Sequence, residues 1–154
     1  MASSGHEIGN HSFNHTADTS KLRGQVRLTD RIVKRITGHN TQLLRPPYGL
    51  ISKPAKTSLK PVILWNVDSL DWKSRNVKKI YKLVMKNVRS GDIVILHDIY
   101  PTTAKATPKI VKKLRKEGYA FVTVSDIIGS PRDGHIYGEG SAAVRTTKSL
   151  NIYF

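Results

Sequence analysis

The apolar residues of this chain change their period several times, and each change marks an element. Leu22, Val26, Ile32, Val33 and Ile36 recur at helical spacing, with Gly38 placed to end that helix. A short apolar step, Leu43-Leu44, runs into Arg45-Pro46-Pro47-Tyr48-Gly49, where two prolines end any regular element and stiffen the loop. Val62-Ile63-Leu64-Trp65-Asn66-Val67 is a β-branched apolar run that fits a buried strand and stops at Asp68-Ser69-Leu70-Asp71-Trp72.

A second helix comes next over Asn76 to Arg89, where Val77, Ile80, Tyr81, Val84 and Val88 keep one face apolar. Ser90-Gly91 turns the chain into Ile93-Val94-Ile95-Leu96, a second buried strand ending at His97-Asp98. A third helix is expected from about Thr103 to Glu117, with Asp98 as its cap and Gly118 as its stop, and then a last strand, Ala120-Phe121-Val122-Thr123-Val124. From Gly129 to Phe154 the residues are rich in Gly, Ser and Thr without a period, so residues 129–154 read as loop or partly disordered tail behind a domain at 1–128.

Strand, helix, strand, helix, strand is the signature of βα units around a parallel sheet, so the fold class is α/β. Arg45, Asp68, Asp71 and His97 each come directly after an apolar strand. The C-terminal end of strands is where (β/α) barrels gather reactive groups, though the chain supplies only about half the strands of a closed barrel.

Composition narrows the chemistry. With no cysteine, disulfides and thiolate sites are excluded, which leaves His, Asp and Glu as metal ligands. No apolar run is long enough to span a bilayer, and the first residues lack the pattern of a secretion signal. A formal charge of +15 makes an anionic neighbour plausible, whether nucleic acid, membrane surface or cell-wall polymer. The lysines of the second and third helices also fit solvated outer faces, and the few aromatics are not interleaved with them, which argues against nucleic acid.

Among six histidines, His11 and His15 are spaced to share one ion if their segment forms a helical turn, although six histidines can also produce such a spacing by chance. On its own Trp72 reads more readily as core than as a platform for a sugar ring, and Asp68 as a residue that ties down its loop or caps the next helix.

Four short motifs in order give the sequence a family resemblance: His11-Ser12-x-x-His15, Arg45-Pro46-Pro47-Tyr48, Asp68-Ser69-Leu70-Asp71-Trp72 and Ile95-Leu96-His97. Together they resemble the NodB-homology polysaccharide deacetylases, carbohydrate esterase family four, and within it the bacterial peptidoglycan or chitin-type N-acetylglucosamine deacetylases. The resemblance covers about Gly5 to Ile128 and implies an incomplete (β/α) barrel of the NodB type, missing its first strand or strands. Ile95 stands where that family usually carries leucine. The family's first motif, T-F-D-D, has no counterpart, and no Asp-Asp pair occurs anywhere in the sequence.

The resemblance also implies a role for each residue. His11 and His15 hold a divalent metal, zinc foremost, and the absent aspartates would be the third ligand and the catalytic base. The backbone N–H of Tyr48 is the oxyanion donor, and Arg45 orients the base. His97 is the general acid, held as imidazolium by Asp71, while Trp72 and Ile95 form the slot for the acetyl methyl. The expected partner is an N-acetylglucosamine polymer, peptidoglycan or chitin-like, met outside the cell or in its envelope. Without the first motif, activity far below that of a complete domain is expected, and an exposed sheet edge favours self-association. Two other readings stay open: a non-catalytic remnant that binds a sugar polymer, and a basic nucleic-acid-binding module.

Overall fold

The computed structural model describes residues 1–52, 60–138 and 149–153. The chain divides into two compact units, Met1–Leu64 with Ser130–Tyr137, and Trp65–Gly129 with Gly138–Phe154. All strand pairings found in either unit are parallel, as the alternation of strands and helices requires.

The first unit is built on helix α1, Leu22–Thr37, which ends where Gly38 takes a left-handed conformation and returns its N–H to Lys34. Leu22 and Val26 are buried against Leu44 and Val62, whereas Ile32 and Val33 are half-buried and Ile36 is exposed, so only the first half of the apolar stripe packs fully. Beneath it runs a narrow parallel layer. Asn10 bridges Leu44, Leu44 bridges Val62, and β1, Val62–Ile63, pairs with β5, Ile136–Tyr137.

The second unit holds a four-stranded parallel sheet in the order β2-β3-β6-β4. Its strands are β2 (Val67–Asp68), β3 (Ile93–Ile95), β4 (Ala120–Phe121) and β6 (Ser149–Tyr153). A single turn, α2 (Asp71–Ser74), precedes α3 (Val77–Asn87), α4 (Pro101–Lys116) and α5 (Val124–Ile128). Ile80 and Val84 of α3 and Ala106, Ile110 and Leu114 of α4 close over Val67, Val94 and Leu96, all of them buried. Each such side chain contributes about 1.5–3 kcal/mol by leaving water, alanine less. Alternation along β3 turns Ile93 and Ile95 to the face opposite Val94.

Several expectations are corrected. The run 62–67 is not one strand, because the Asn66 side chain accepts from the N–H of Ile93 (3.0 Å) and donates to the carbonyl of Gly138 (3.0 Å), taking the chain off the first layer and onto the second. The last strand stops at Phe121, since Thr123 and Asp126 form a reciprocal capping box that starts α5 at Val124. Asp98 does not cap α4, which begins after Tyr100 with Pro101 in its first turn and no side-chain cap. The tail expected to be loop contains β5 and β6, the latter lying between β3 and β4. Among the described residues no helix is long and apolar enough to cross a membrane.

Candidate functional site

In the first unit the histidine segment leaves a parallel bridge: Asn10 N–H donates to the carbonyl of Leu43 (2.8 Å), and Arg45 N–H donates to that of Asn10 (2.9 Å). The Asn10 side chain is fully buried and completely used. Its amide donates to the Val26 carbonyl (3.0 Å) and the Asp30 carboxylate (2.8 Å), and its oxygen accepts from Ser12 N–H (2.9 Å). This anchor carries the strain of the next turn, for the segment is not helical. Ser12 and His15 both sit at left-handed φ, 65° and 56°, an excursion of about 1–2 kcal/mol for each non-glycine residue.

The helical-turn expectation for His11 and His15 is therefore wrong in backbone, yet the two rings meet edge-on with centroids 4.9 Å apart. His11 Nδ1 lies 2.5 Å from the carbonyl of Arg45. A carbonyl only accepts, so Nδ1 carries the hydrogen and Nε2 keeps its lone pair. Such a bond is the usual device by which a ligating imidazole is held in one tautomer. His15 is exposed, and its ring meets that of Tyr48 at 4.6 Å. Tyr48 is itself held at φ 56°, in a turn closed by the N–H groups of Gly49 and Leu50, and Arg45 is buried.

Behind this layer Asp30 gathers Asn10, the Thr41 hydroxyl and the Lys60 ammonium, the last at 2.8 Å. Burial alone would push its carboxyl up, but the hydrogen bonds from Lys60, Thr41 and Asn10 outweigh it and leave the carboxyl below its ordinary value.

The second unit presents a different arrangement. Asp68 pairs with Ile95 in register, so β2 and β3 end side by side and their outgoing loops emerge at one edge. Asp68 accepts from Leu70 N–H (2.8 Å), which is its role in tying down the loop. Leu70 takes a left-handed φ of 49° and turns Asp71 inward. Asp71 is then completely buried and accepts four hydrogen bonds. Its Oδ1 takes His97 Nδ1 (2.7 Å) and Trp72 N–H (2.8 Å); its Oδ2 takes His97 N–H (2.6 Å) and the Thr103 hydroxyl (2.8 Å).

Burial raises the Asp71 carboxyl, and these bonds, those from His97 foremost, more than reverse it, so it stays ionised below the usual carboxylate range. The ionised carboxylate makes Nδ1 of His97 the protonated nitrogen and Nε2 the one free to exchange a proton. The His97 side chain is about a quarter exposed (26%), enough to meet a substrate. Trp72 is exposed rather than core, and Ile95 is buried. The Arg75 guanidinium lies over the Tyr100 ring, 4.2 Å from its centroid.

The sequence-predicted residues thus fall into two groups, His11, His15, Arg45 and Tyr48 in one unit and Asp71, Trp72, Ile95 and His97 in the other. Asn10 and Thr103 were not singled out by sequence. Nothing in the pattern marks them, since Asn10 stands between Gly9 and His11 and Thr103 between Thr102 and Ala104, and only the fold buries them. Two imidazoles suit a borderline ion such as zinc, and the His11 tautomer fits that use. Among the described residues no third His, Cys, Asp or Glu joins them.

Parallel βα units define a protein of the α/β class, in which one unit carries an imidazole pair with the His11 tautomer fixed and the other a histidine clamped by a buried carboxylate. The family is settled by comparison with known proteins. The polysaccharide deacetylase model matches residues 1–64. The solved T48 deacetylase, described with its substrate, superposes at a TM-score of 0.83 and 34% identity, over 89% of this chain and 72% of that one.

The chain belongs to the polysaccharide deacetylase family, and its fold class is that of the incomplete NodB-type (β/α) barrel. It is 41% identical over 132 residues to the peptidoglycan-N-acetylmuramic acid deacetylase PdaC of Bacillus subtilis, covering 82% of this chain. To the peptidoglycan-N-acetylglucosamine deacetylase PgdA of Listeria monocytogenes it is 36% identical over 130 residues, or 81% of this chain. The chain spans 28% of the length of each of these two curated relatives.

Proposed function

We propose that this chain serves the hydrolysis of N-acetyl groups on an N-acetylglucosamine-type polymer of the peptidoglycan class, acting in the cell envelope or outside the cell. The observation that carries this reading is the His97–Asp71 pair, in which a saturated, buried carboxylate fixes a partly exposed imidazole with one nitrogen left for proton transfer. In the reaction the acetamide C–N bond breaks and a C–O bond to water forms. His97 Nε2 gives its proton to the departing amine, and Asp71 stabilises the imidazolium that precedes this transfer. Thr103 and the Trp72 N–H keep Asp71 from turning away.

His11 and His15 would hold a divalent ion, zinc before others, through Nε2 of His11 and the ring of His15. A bound ion supplies Lewis acidity, acidifying water and polarising the acetamide carbonyl. The Tyr48 N–H, fixed by the diproline turn, is the donor toward the developing oxyanion. Arg45 orients the base. Trp72, exposed, is the face for the sugar, and Ile95 lines the acetyl slot beside it. With no paired aspartates in these 154 residues, the base comes from a carboxylate outside them, and the chain alone turns over poorly.

The test is acetate release from N-acetylated peptidoglycan oligosaccharides with zinc, with and without a segment carrying paired aspartates. Turnover restored by that segment and lost in His97→Ala supports the reading. The lack of a third ligand among the described residues favours a second reading, a sugar-binding protein without catalysis. In that case the oligosaccharide binds but no acetate appears under either condition.

A further inference from the structure

Helices α3 and α4 and the segment joining them through β3, residues 77–117, carry eleven Lys and Arg against three acids, Asp92, Asp98 and Glu117. A solvated helix face normally mixes its signs, and like charges four residues apart destabilise a helix. Here Lys78, Lys82 and Lys86 succeed one another at that spacing on α3, as do Lys105, Lys109 and Lys113 on α4, all exposed. Lys113 pairs with Glu117 at 2.9 Å. The remaining positive charge is concentrated rather than dispersed.

That charge also lines two hollows in the same unit. A groove of about 460 Å³ lies between the helices, bordered by Lys78, Lys82, Lys109, Lys112, Lys113 and Lys116 together with Val77 and Tyr81. A second, of about 740 Å³, is bordered by Lys73, Lys79, Lys82 and Lys86 and reaches Ser69 and Leu70, the residues just before Asp71. Lys82 borders both, so the two hollows adjoin at that residue, and lysines line this track from α4 to the residues just before Asp71.

We propose that this track binds a flexible phosphodiester polyanion without bases, of the polyol phosphate type, and holds it beside the Asp71–Trp72 loop. Lysines at i and i+4 repeat about every 6 Å along a helix axis, a spacing suited to a chain with one phosphodiester per small polyol unit. A nucleic acid would want stacking surfaces, and the track offers one half-buried tyrosine. The choice of a polymer of cell-wall chemistry rests on the proposed function. Binding itself does not depend on catalysis, so absent acetate release and absent polyanion binding are separate failures.

The experiment titrates the full chain with poly(glycerol phosphate) by calorimetry between 50 and 200 mM salt, values set at about the range over which counterion release is read. Parallel arms use single-stranded and duplex DNA. The triple variant Lys82→Gln, Lys109→Gln, Lys112→Gln changes only exposed side chains, and circular dichroism checks its fold. Expected are saturable binding to the polyol phosphate, a Kd that rises steeply with salt, and a loss of at least about tenfold in the variant, as removal of several phosphate contacts entails. No binding at the lower salt, equal binding by the folded variant, or tighter binding to either DNA would each overturn the proposal. Should the variant fail to fold, the single change Lys82→Gln carries the same test, with a several-fold loss expected and no loss refuting it.

Discussion

Replacing Asp71 by asparagine changes one atom and one charge at a carboxylate that is completely buried. The four donors around it decide the outcome. If the amide nitrogen takes the place of Oδ1, it faces His97 Nδ1, which can change tautomer, and Trp72 N–H, which cannot. If it takes the place of Oδ2, it faces the Thr103 hydroxyl, which can rotate, and His97 N–H, which cannot. Either way one backbone N–H is set against another donor, and the three surviving bonds lose their charged acceptor.

An orphaned buried donor costs about 1–3 kcal/mol, and weakening bonds that had a charged partner adds to it, so Asp71→Asn should lose about 3 kcal/mol at pH 7. Both tryptophans of the chain, Trp65 and Trp72, lie in the second unit, so denaturant unfolding monitored by tryptophan fluorescence reports on the unit concerned. The pH dependence supplies an independent check. The folded carboxyl is held below its unfolded value, so its stabilisation is present above about pH 4 and is lost as pH falls through the folded value. The gap between wild type and Asp71→Asn should be full from about pH 7 to 5 and narrow below about 4. A gap under about 1 kcal/mol at pH 7, or one that stays constant down to about pH 3, would refute this account of the carboxylate.

Other perturbations have equally definite outcomes. Thr103→Val removes one of the two donors on Asp71 Oδ2 and should cost about 1–2 kcal/mol while moving the acid transition of the second unit to higher pH, read by the same fluorescence titration. Asn10→Ala deletes three hydrogen bonds at the root of the histidine segment. It should cost about 2–4 kcal/mol by thermal unfolding and weaken zinc binding by calorimetry at least as much as His15→Ala does. In the wild type, Asp30 and Asp71 are both held low, so the melting temperature should be flat between about pH 5 and 7 and fall below about 4. A melting temperature that does not fall below about pH 4 would contradict both assignments.

The sequence displayed the elements whose burial is periodic. The stop of α1 at Gly38, the faces of α3 and α4, and the buried strand leading to His97 are all readable from spacing alone. It hid the places where a side chain replaces the backbone in a hydrogen bond. Asn66 breaks an apolar run that otherwise reads as one strand, and Thr123 with Asp126 cuts short another. The tail strands β5 and β6 pair in parallel with distant partners, and their short lengths leave no period to read. For the candidate site, the residues of the His11–His15 and Asp71–His97 pairings were legible through their motifs, whereas Asn10 and Thr103 were not, because a buried polar residue is explained only by the groups that surround it. The imidazole pair came together for a reason other than the one its spacing suggested, through left-handed turns at Ser12 and His15 rather than a helix.

The most direct test of the central claim is acetate release from N-acetylated peptidoglycan oligosaccharides, with zinc present and a paired-aspartate segment supplied. Turnover should be lost by about two orders of magnitude or more in His97→Ala, the scale of a missing general acid, and lost as well in His11→Ala. Turnover that survives His97→Ala undiminished, or no turnover even with the segment supplied, would contradict it.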